Sequence, residues 1–176
     1  MLKRSPLHGG EDEVGGEGLL TPNDDILARS GVRLAGPLSW RLTVRSTGGD
    51  DDFLLDGEVF GKTVLECRRC LSEVETMVAT DLLYPMAYRP GNKGVKLSED
   101  KENAEILVFG QPEVDFADLL TEIYAVDLPL TALCKEACLG LSADGINLNE
   151  HPEAKEKADT GQRKDSPFNL LKDLEL

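Results

Sequence analysis

Histidine is scarce in this chain: His8 and His151 are the only two among 176 residues. That excludes a multi-histidine metal centre and leaves a Ser-His or Cys-His pair with few candidates for its base. No glycine-rich loop runs into a Lys followed by Ser or Thr, so the sequence has no phosphate-cradling P-loop. Positive charge is short as well, with 19 Lys and Arg against 33 Asp and Glu and a formal net charge of −14. Neutralising a phosphate backbone or an anionic membrane surface needs clustered basic residues, so neither is favoured as a general partner. No apolar run approaches the ~18 residues of a membrane-spanning helix. The opening MLKRSPLHGG has a little positive charge but no apolar stretch behind it, unlike a secretory leader. Aromatic residues make up only 5% and apolar residues 40%, enough for one modest core. The expectation is a cytoplasmic protein that is not an enzyme, with no membrane association and no small-molecule substrate. Its cysteines should be reduced unless they hold metal or do redox work.

What is present falls into four stretches. Residues 1–28, with GGEDEVGGEG and TPNDD, read as a flexible acidic and glycine-rich segment in which Leu19, Leu20, Ile26 and Leu27 are docking points. Residues 29–149 read as the core. Leu34, Leu38, Trp40, Leu42 and Val44 alternate with polar residues, as on a half-buried strand. A second strand-like run, Phe53 to Cys67, contains Gly57 and Gly61, which predict a bend or bulge. A third puts Val74, Thr76, Val78, Thr80 and Leu82 on one face. Residues 89–105 read as a long surface loop, followed by a short strand at Ile106–Phe109. The cluster Asp50–Asp52 reads as a solvated hairpin tip, since no carboxylates at cation-ligand spacing accompany it. The clearest helix starts at Asp115 as N-cap, places Phe116, Leu119, Leu120 and Ile123 at helical spacing, and stops at Pro129. Residues 150–165 read as a polar linker. Residues 166–176 read as a short amphipathic helix whose Phe168, Leu171 and Leu174 fold back on the domain or dock on a partner. The fold class is α+β: a mainly antiparallel sheet, with barrel-like curling open to it, a covering helix and a zinc-pinned C-terminal segment.

The four cysteines form two close pairs, Cys67-Arg-Arg-Cys70 and Cys134-Lys-Glu-Ala-Cys138, separated by 63 residues. A CxxC on a turn between strands aims two thiolates at one point, and a second pair completes the four-sulfur set that Zn²⁺ takes in structural sites. Arg68, Arg69 and Lys135 sit inside the pairs and would offset the negative charge of such a centre. The same cations would lower a free thiol's pKa, so a redox use of Cys67 and Cys70 stays open. A thioredoxin-like site, however, places its CxxC at a helix N-terminus rather than between strands.

These residues carry a resemblance. GEVFGKTVLECRRCLSEVE, VDFADLLTEIYAVDLPL, LCKEACLGLSADGINLNE and the closing SPFNLLKDLEL, in that order, resemble the YceD-like family, the large ribosomal RNA subunit accumulation proteins of bacteria and plastids. The resemblance implies a non-enzymatic ribosome-biogenesis factor supporting synthesis, processing or stability of large-subunit (23S) ribosomal RNA. Its implied partners are ribosomal or rRNA-processing proteins, with pre-ribosomal RNA itself as a further candidate. Many relatives carry an extra CPxCG after the second pair. Here Ser142 and Asp144 stand in its place, which leaves Cys67, Cys70, Cys134 and Cys138 as the full ligand set, while Gly145, Asn147, Leu148 and Asn149 keep the loop. Candidate RNA or partner contacts are Arg68, Arg69 and Arg41. Arg41 would share a strand face with Arg33 and Arg45 if the run is regular, although a solvated sheet face is the favoured reading of those three. A thiol redox protein and a zinc-stabilised protein-interaction domain are the competing readings.

Overall fold

A computed structural model describes residues 2–3, 13–48, 51–99, 104–111 and 113–155. In chain order the elements are β1 (Leu2–Lys3), β2 (Glu13–Leu20), α1 (Asp24–Ser30), β3 (Arg33–Leu34), β4 (Leu38–Ser46), β5 (Asp52–Glu66), β6 (Glu73–Tyr88), β7 (Lys96–Glu99), β8 (Glu105–Phe109), β9 (Glu113–Val114) and α2 (Ala117–Val126). The chain divides into two compact units. One comprises Met1–Leu65 and Glu75–Leu130; the other comprises Glu66–Val74 and Thr131–Leu176. This division differs from a single core over 29–149, because the tip between β5 and β6 groups with the chain after α2.

The first unit is built on a sheet with strand order β2-β4-β5-β6-β8-β7, with β3 paired to β5 off that path. Both ends of the order are open edges, so the sheet does not close into a barrel. It is also mixed rather than purely antiparallel: β8 runs parallel to β6, with β7 as the intervening connection that returns antiparallel to β8. The expected long loop at 89–105 thus contains β7. A separate two-stranded ribbon joins β1 to β9.

No bulge interrupts the β4–β5 pairing where Gly57 predicts a bend or bulge. The β4–β5 register runs unbroken from Ser39↔Phe60 to Ser46↔Phe53. A Cβ on Gly57 would meet the Arg41 carbonyl oxygen, and one on Gly61 would lie 2.5 Å from Leu38 Cδ2. These glycines permit close approach of β4 to β5.

Residues 13–28, read from composition as flexible, form β2 and most of α1. Gly16 and Gly18 of β2 lie under the Trp40 indole, within 3.4 Å of where a Cβ would stand, and Trp40 Nε1 donates to the Leu19 carbonyl at 3.3 Å. The single tryptophan supplies the contact that the glycines cannot. Asn23 caps α1 by accepting from the Asp25 and Ile26 N–H groups, and Gly31 closes it at φ 67°. Ile26 and Leu27 are buried there, while Leu19 is exposed.

In α2, Asp115 Oδ1 accepts from the Ala117 N–H at 2.9 Å, so the foreseen cap acts one residue ahead of the helix. Phe116, Leu120 and Tyr124 of this segment join Leu38, Leu42, Leu55, Val59, Leu82 and Leu107 of the sheet in one core. The Tyr124 hydroxyl donates to the Gly61 carbonyl at 3.2 Å. α1 is tied to α2 where Asn23 Nδ2 donates to Asp118 Oδ1 at 2.9 Å. The expected helix at 166–176, with Phe168, Leu171 and Leu174, lies outside the described residues.

Candidate metal centre

The second unit starts where β5 ends. Cys67 N–H donates to the Ser72 carbonyl and Leu71 N–H to the Cys67 carbonyl, both at 2.8 Å, which folds Cys67–Ser72 into a tight turn. Leu71 completes it at φ 59°, the left-handed conformation that non-glycine residues rarely adopt. The later chain is laid alongside this turn. Cys67 forms a parallel bridge with Ala132, and Arg68 N–H donates to the Ala132 carbonyl at 2.9 Å. Cys134 to Cys138 makes the second turn, where Cys138 N–H donates to the Lys135 carbonyl at 3.1 Å. Gly140 follows at φ 79°, and a Cβ there would lie 3.2 Å from the Arg69 carbonyl oxygen. Residues 142–146 form a closed turn. Ser142 N–H donates to the Ile146 carbonyl at 2.8 Å, and Leu141 bridges Asn147.

These two turns bring Cys67, Cys70, Cys134 and Cys138 together, with all four sulfurs within 4.8 Å of one another. Two contacts run between the pairs: Cys67 to Cys138 at 3.8 Å and Cys70 to Cys134 at 3.6 Å. A tetrahedral ion with metal–sulfur bonds of about 2.3 Å needs sulfurs about 3.8 Å apart, so the set has the right size for Zn²⁺. A donor set of sulfur alone also suits that ion rather than a hard cation. Among the described residues this is the one group of His, Cys, Asp or Glu side chains placed to share a metal. Cys67, Cys70 and Cys138 are buried with Val74 and Leu141 against them, and Cys134 is exposed.

The electrostatics are those of crowded thiols. The Cys134 backbone N–H does most to lower the Cys67 thiol, with those of Cys70 and Arg69 adding to it, and together they outweigh burial and bring it to about 6. Burial would raise Cys138, but the Asn149 side-chain N–H and the Gly140 N–H more than offset this and lower it. Cys134 goes the other way. Although the residue is exposed, its sulfur is desolvated among the other three, and this, followed by hydrogen bonds with Cys138, Cys70 and Cys67, pushes it up to about 12.

An outer layer of polar side chains surrounds the sulfurs. Asn149 Nδ2 donates to Cys138 Sγ at 3.2 Å, and Ser72 Oγ lies 3.3 Å from Cys70 Sγ. The sequence predicts only a loop-shaping role for Asn147 and Asn149 and does not single out Ser72. Nothing in their spacing says that their side chains turn toward sulfur.

The basic candidates separate. Arg69 Nη1 donates to the carbonyls of Glu136 at 3.0 Å and Cys138 at 3.2 Å, tying the first turn to the second. The Arg68 side chain is exposed and makes no ion pair among the described residues. Arg41 lies between Glu17 and Glu58, its cross-strand neighbours, at 3.4 and 2.7 Å, so its guanidinium is already engaged. Arg41 and Arg45 share the exposed face of β4, whereas Arg33 belongs to β3 and pairs with β5. The three do not share one strand, but Leu54, Glu58 and Val64, their partners, lie on one side of β5, so the register sets all three arginines on one face of the sheet.

The family described as large ribosomal RNA subunit accumulation protein YceD matches residues 55–175, most of the chain and all four cysteines. The chain belongs to the YceD family. Curated relatives include an uncharacterized protein of Mycobacterium leprae, 30% identical over 132 residues, covering 72% of this chain and 58% of its own. An uncharacterized protein of Mycobacterium tuberculosis is 28% identical over 112 residues, covering 63% of this chain and 52% of its own. The chain thus spans a little over half the length of these relatives. No solved structure matches it. Among the described residues no helix is long and apolar enough to cross a membrane. The description of the YceD family names accumulation of the large ribosomal RNA subunit.

Proposed function

We propose that this chain is a non-enzymatic, cytoplasmic factor in large-subunit ribosome biogenesis, supporting synthesis, processing or stability of the 23S RNA, with a structural zinc held by Cys67, Cys70, Cys134 and Cys138. The observation that carries the metal reading is the closure of four sulfurs to within 4.8 Å from two chain segments that are far apart in sequence. The ion would link the β5–β6 turn to the segment after α2 inside one unit. The ribosomal reading rests on the family. With a net charge of −14, the chain is suited to basic ribosomal or RNA-processing proteins rather than to bare RNA. Arg68 is the side chain best placed for a local contact with pre-ribosomal RNA or such a partner.

A thiol redox role draws on the lowered Cys67 thiol, but Cys67 is fully buried. Reactive thiols need access as well as a low pKa. Elemental mass spectrometry of protein purified without added metal, with thiol titration, tests the site. About one zinc per chain and four thiols after denaturation in chelator is the expected result under the structural-site stoichiometry. A metal-free protein with two disulfides would favour redox chemistry instead. Co-sedimentation with large-subunit precursors tests the ribosomal role, and its absence would leave a zinc-stabilised interaction domain.

A further inference from the structure

We propose that Asn149, backed by Asn147 and Ser72, positions the sulfurs of both cysteine pairs for the metal. The inference rests on the zinc reading above and extends it to residues that do not themselves ligate. Asn149 Nδ2 donates to Cys138 Sγ at 3.2 Å and to Asn147 Oδ1 at 2.9 Å, and its Oδ1 accepts the Leu139 N–H at 3.0 Å. That last bond fixes the amide: reversing it would set two donors against each other, so the NH₂ must face sulfur. Asn147 is fixed in the same way. Its Oδ1 accepts the Asn149 N–H at 3.1 Å, and its Nδ2 donates to Glu150 Oε1 at 2.9 Å and to Ser72 Oγ at 3.2 Å. Ser72 Oγ accepts both from Asn147 and from the Cys70 thiol, the latter at 3.3 Å. One connected relay therefore reaches a sulfur of each pair: it donates to Cys138, and once Cys70 gives up its proton to a metal the Ser72 hydrogen is free to turn to that thiolate. Such outer donors fix ligand direction and draw charge from the sulfur, and removing one typically costs about 10- to 100-fold in metal affinity.

The test uses the full chain and four variants: Asn149→Asp, Asn149→Ala, Asn147→Ala and Ser72→Ala. Zinc affinity is measured by competition with a chromophoric chelator, and the sulfur-to-cobalt charge-transfer band is recorded on Co²⁺-loaded protein. Asn149→Asp keeps an acceptor for the Leu139 N–H but loses the donor to Cys138. If Asn149 only shapes the loop, the Asp variant binds like the parent and the Ala variant is the weaker. If Asn149 serves the sulfur, Asp is the weakest, Ala and Asn147→Ala lose about 10-fold or more, and the band shifts in each. Ser72→Ala removes a single hydroxyl and remains informative should an Asn149 variant fail to fold; it is expected to shift the band with a smaller loss of affinity. Parent-like affinity and an unshifted band in Asn149→Asp, or in Ser72→Ala where the former does not fold, overturn the proposal. A parent that takes up neither zinc nor cobalt overturns the metal reading and this proposal together, which distinguishes the two failures.

Discussion

The two units of this chain reach a defined structure by different means. The sheet unit buries Leu38, Leu42, Leu55, Val59, Leu107, Leu120 and Tyr124 in a continuous core, and apolar burial alone accounts for its order. The cysteine unit has a small cluster in which three of the buried side chains are Cys67, Cys70 and Cys138. Among the described residues that cluster has only Val74 and Leu141 packed against the cysteines. A metal held by the four sulfurs would do there the work that hydrophobic area does in the sheet.

Removing the metal strikes that contrast hardest. Zinc binding in small metal-folded peptides amounts to about 10–16 kcal/mol, and in such units binding energy is folding energy. Chelation, or Cys134→Ser, should therefore abolish amide-exchange protection over Glu66–Val74 and 131–155 while β4, β5 and α2 keep theirs. Cys134 is the informative position because it is the exposed member of the four. Equal protection of the cysteine unit with and without chelator would remove the distinction between the units.

Leu42→Ala is the converse. Leu42 is 2% exposed, and a core Leu→Ala change costs about 2–5 kcal/mol. Calorimetry should show that loss while elemental analysis shows unchanged zinc per chain. A smaller effect within the same core comes from Tyr124→Phe. It keeps the ring but leaves the Gly61 carbonyl without its donor, for about 1 kcal/mol on thermal unfolding. If either change lowers zinc content, the units are not independent in the sense argued.

Legibility in the sequence also differs between the units. The Leu38–Val44 alternation and the Phe116–Ile123 spacing gave β4 and α2, because periodicity records burial directly. The paired cysteines gave the four-sulfur set, because few other uses bring two close pairs into one acidic chain. β2 was hidden: its glycines read as disorder, and only the pairing of Gly18 with Trp40 in the neighbouring strand shows what covers them. α1 was hidden less well, since Asn23, two aspartates and Gly31 are a complete set of caps. The parallel β6–β8 pair was invisible because local pattern does not report which strand a segment joins. Asn149 and Ser72 were missed because second-layer donors are recognised by direction, not by spacing.

The finest distinction lies inside the cysteine unit, between its two turns. After Cys138 the left-handed position is filled by Gly140, at φ 79°, where glycine is free of strain and a Cβ would be tight. After Cys70 it is filled by Leu71 at φ 59°, with its side chain 58% exposed. A left-handed non-glycine residue costs about 1–2 kcal/mol, while a glycine gives up about 0.5–1 kcal/mol more chain entropy on folding. With little burial to lose, Leu71→Gly should stabilise the zinc-loaded unit by roughly 0.5–1 kcal/mol, the net of those two effects. Chelator-dependent unfolding of the variant against the parent measures it. A loss of stability instead would mean that the Leu71 side chain contributes more than its exposure suggests, and the first turn, unlike the second, would then depend on an apolar contact as well as on its cysteines.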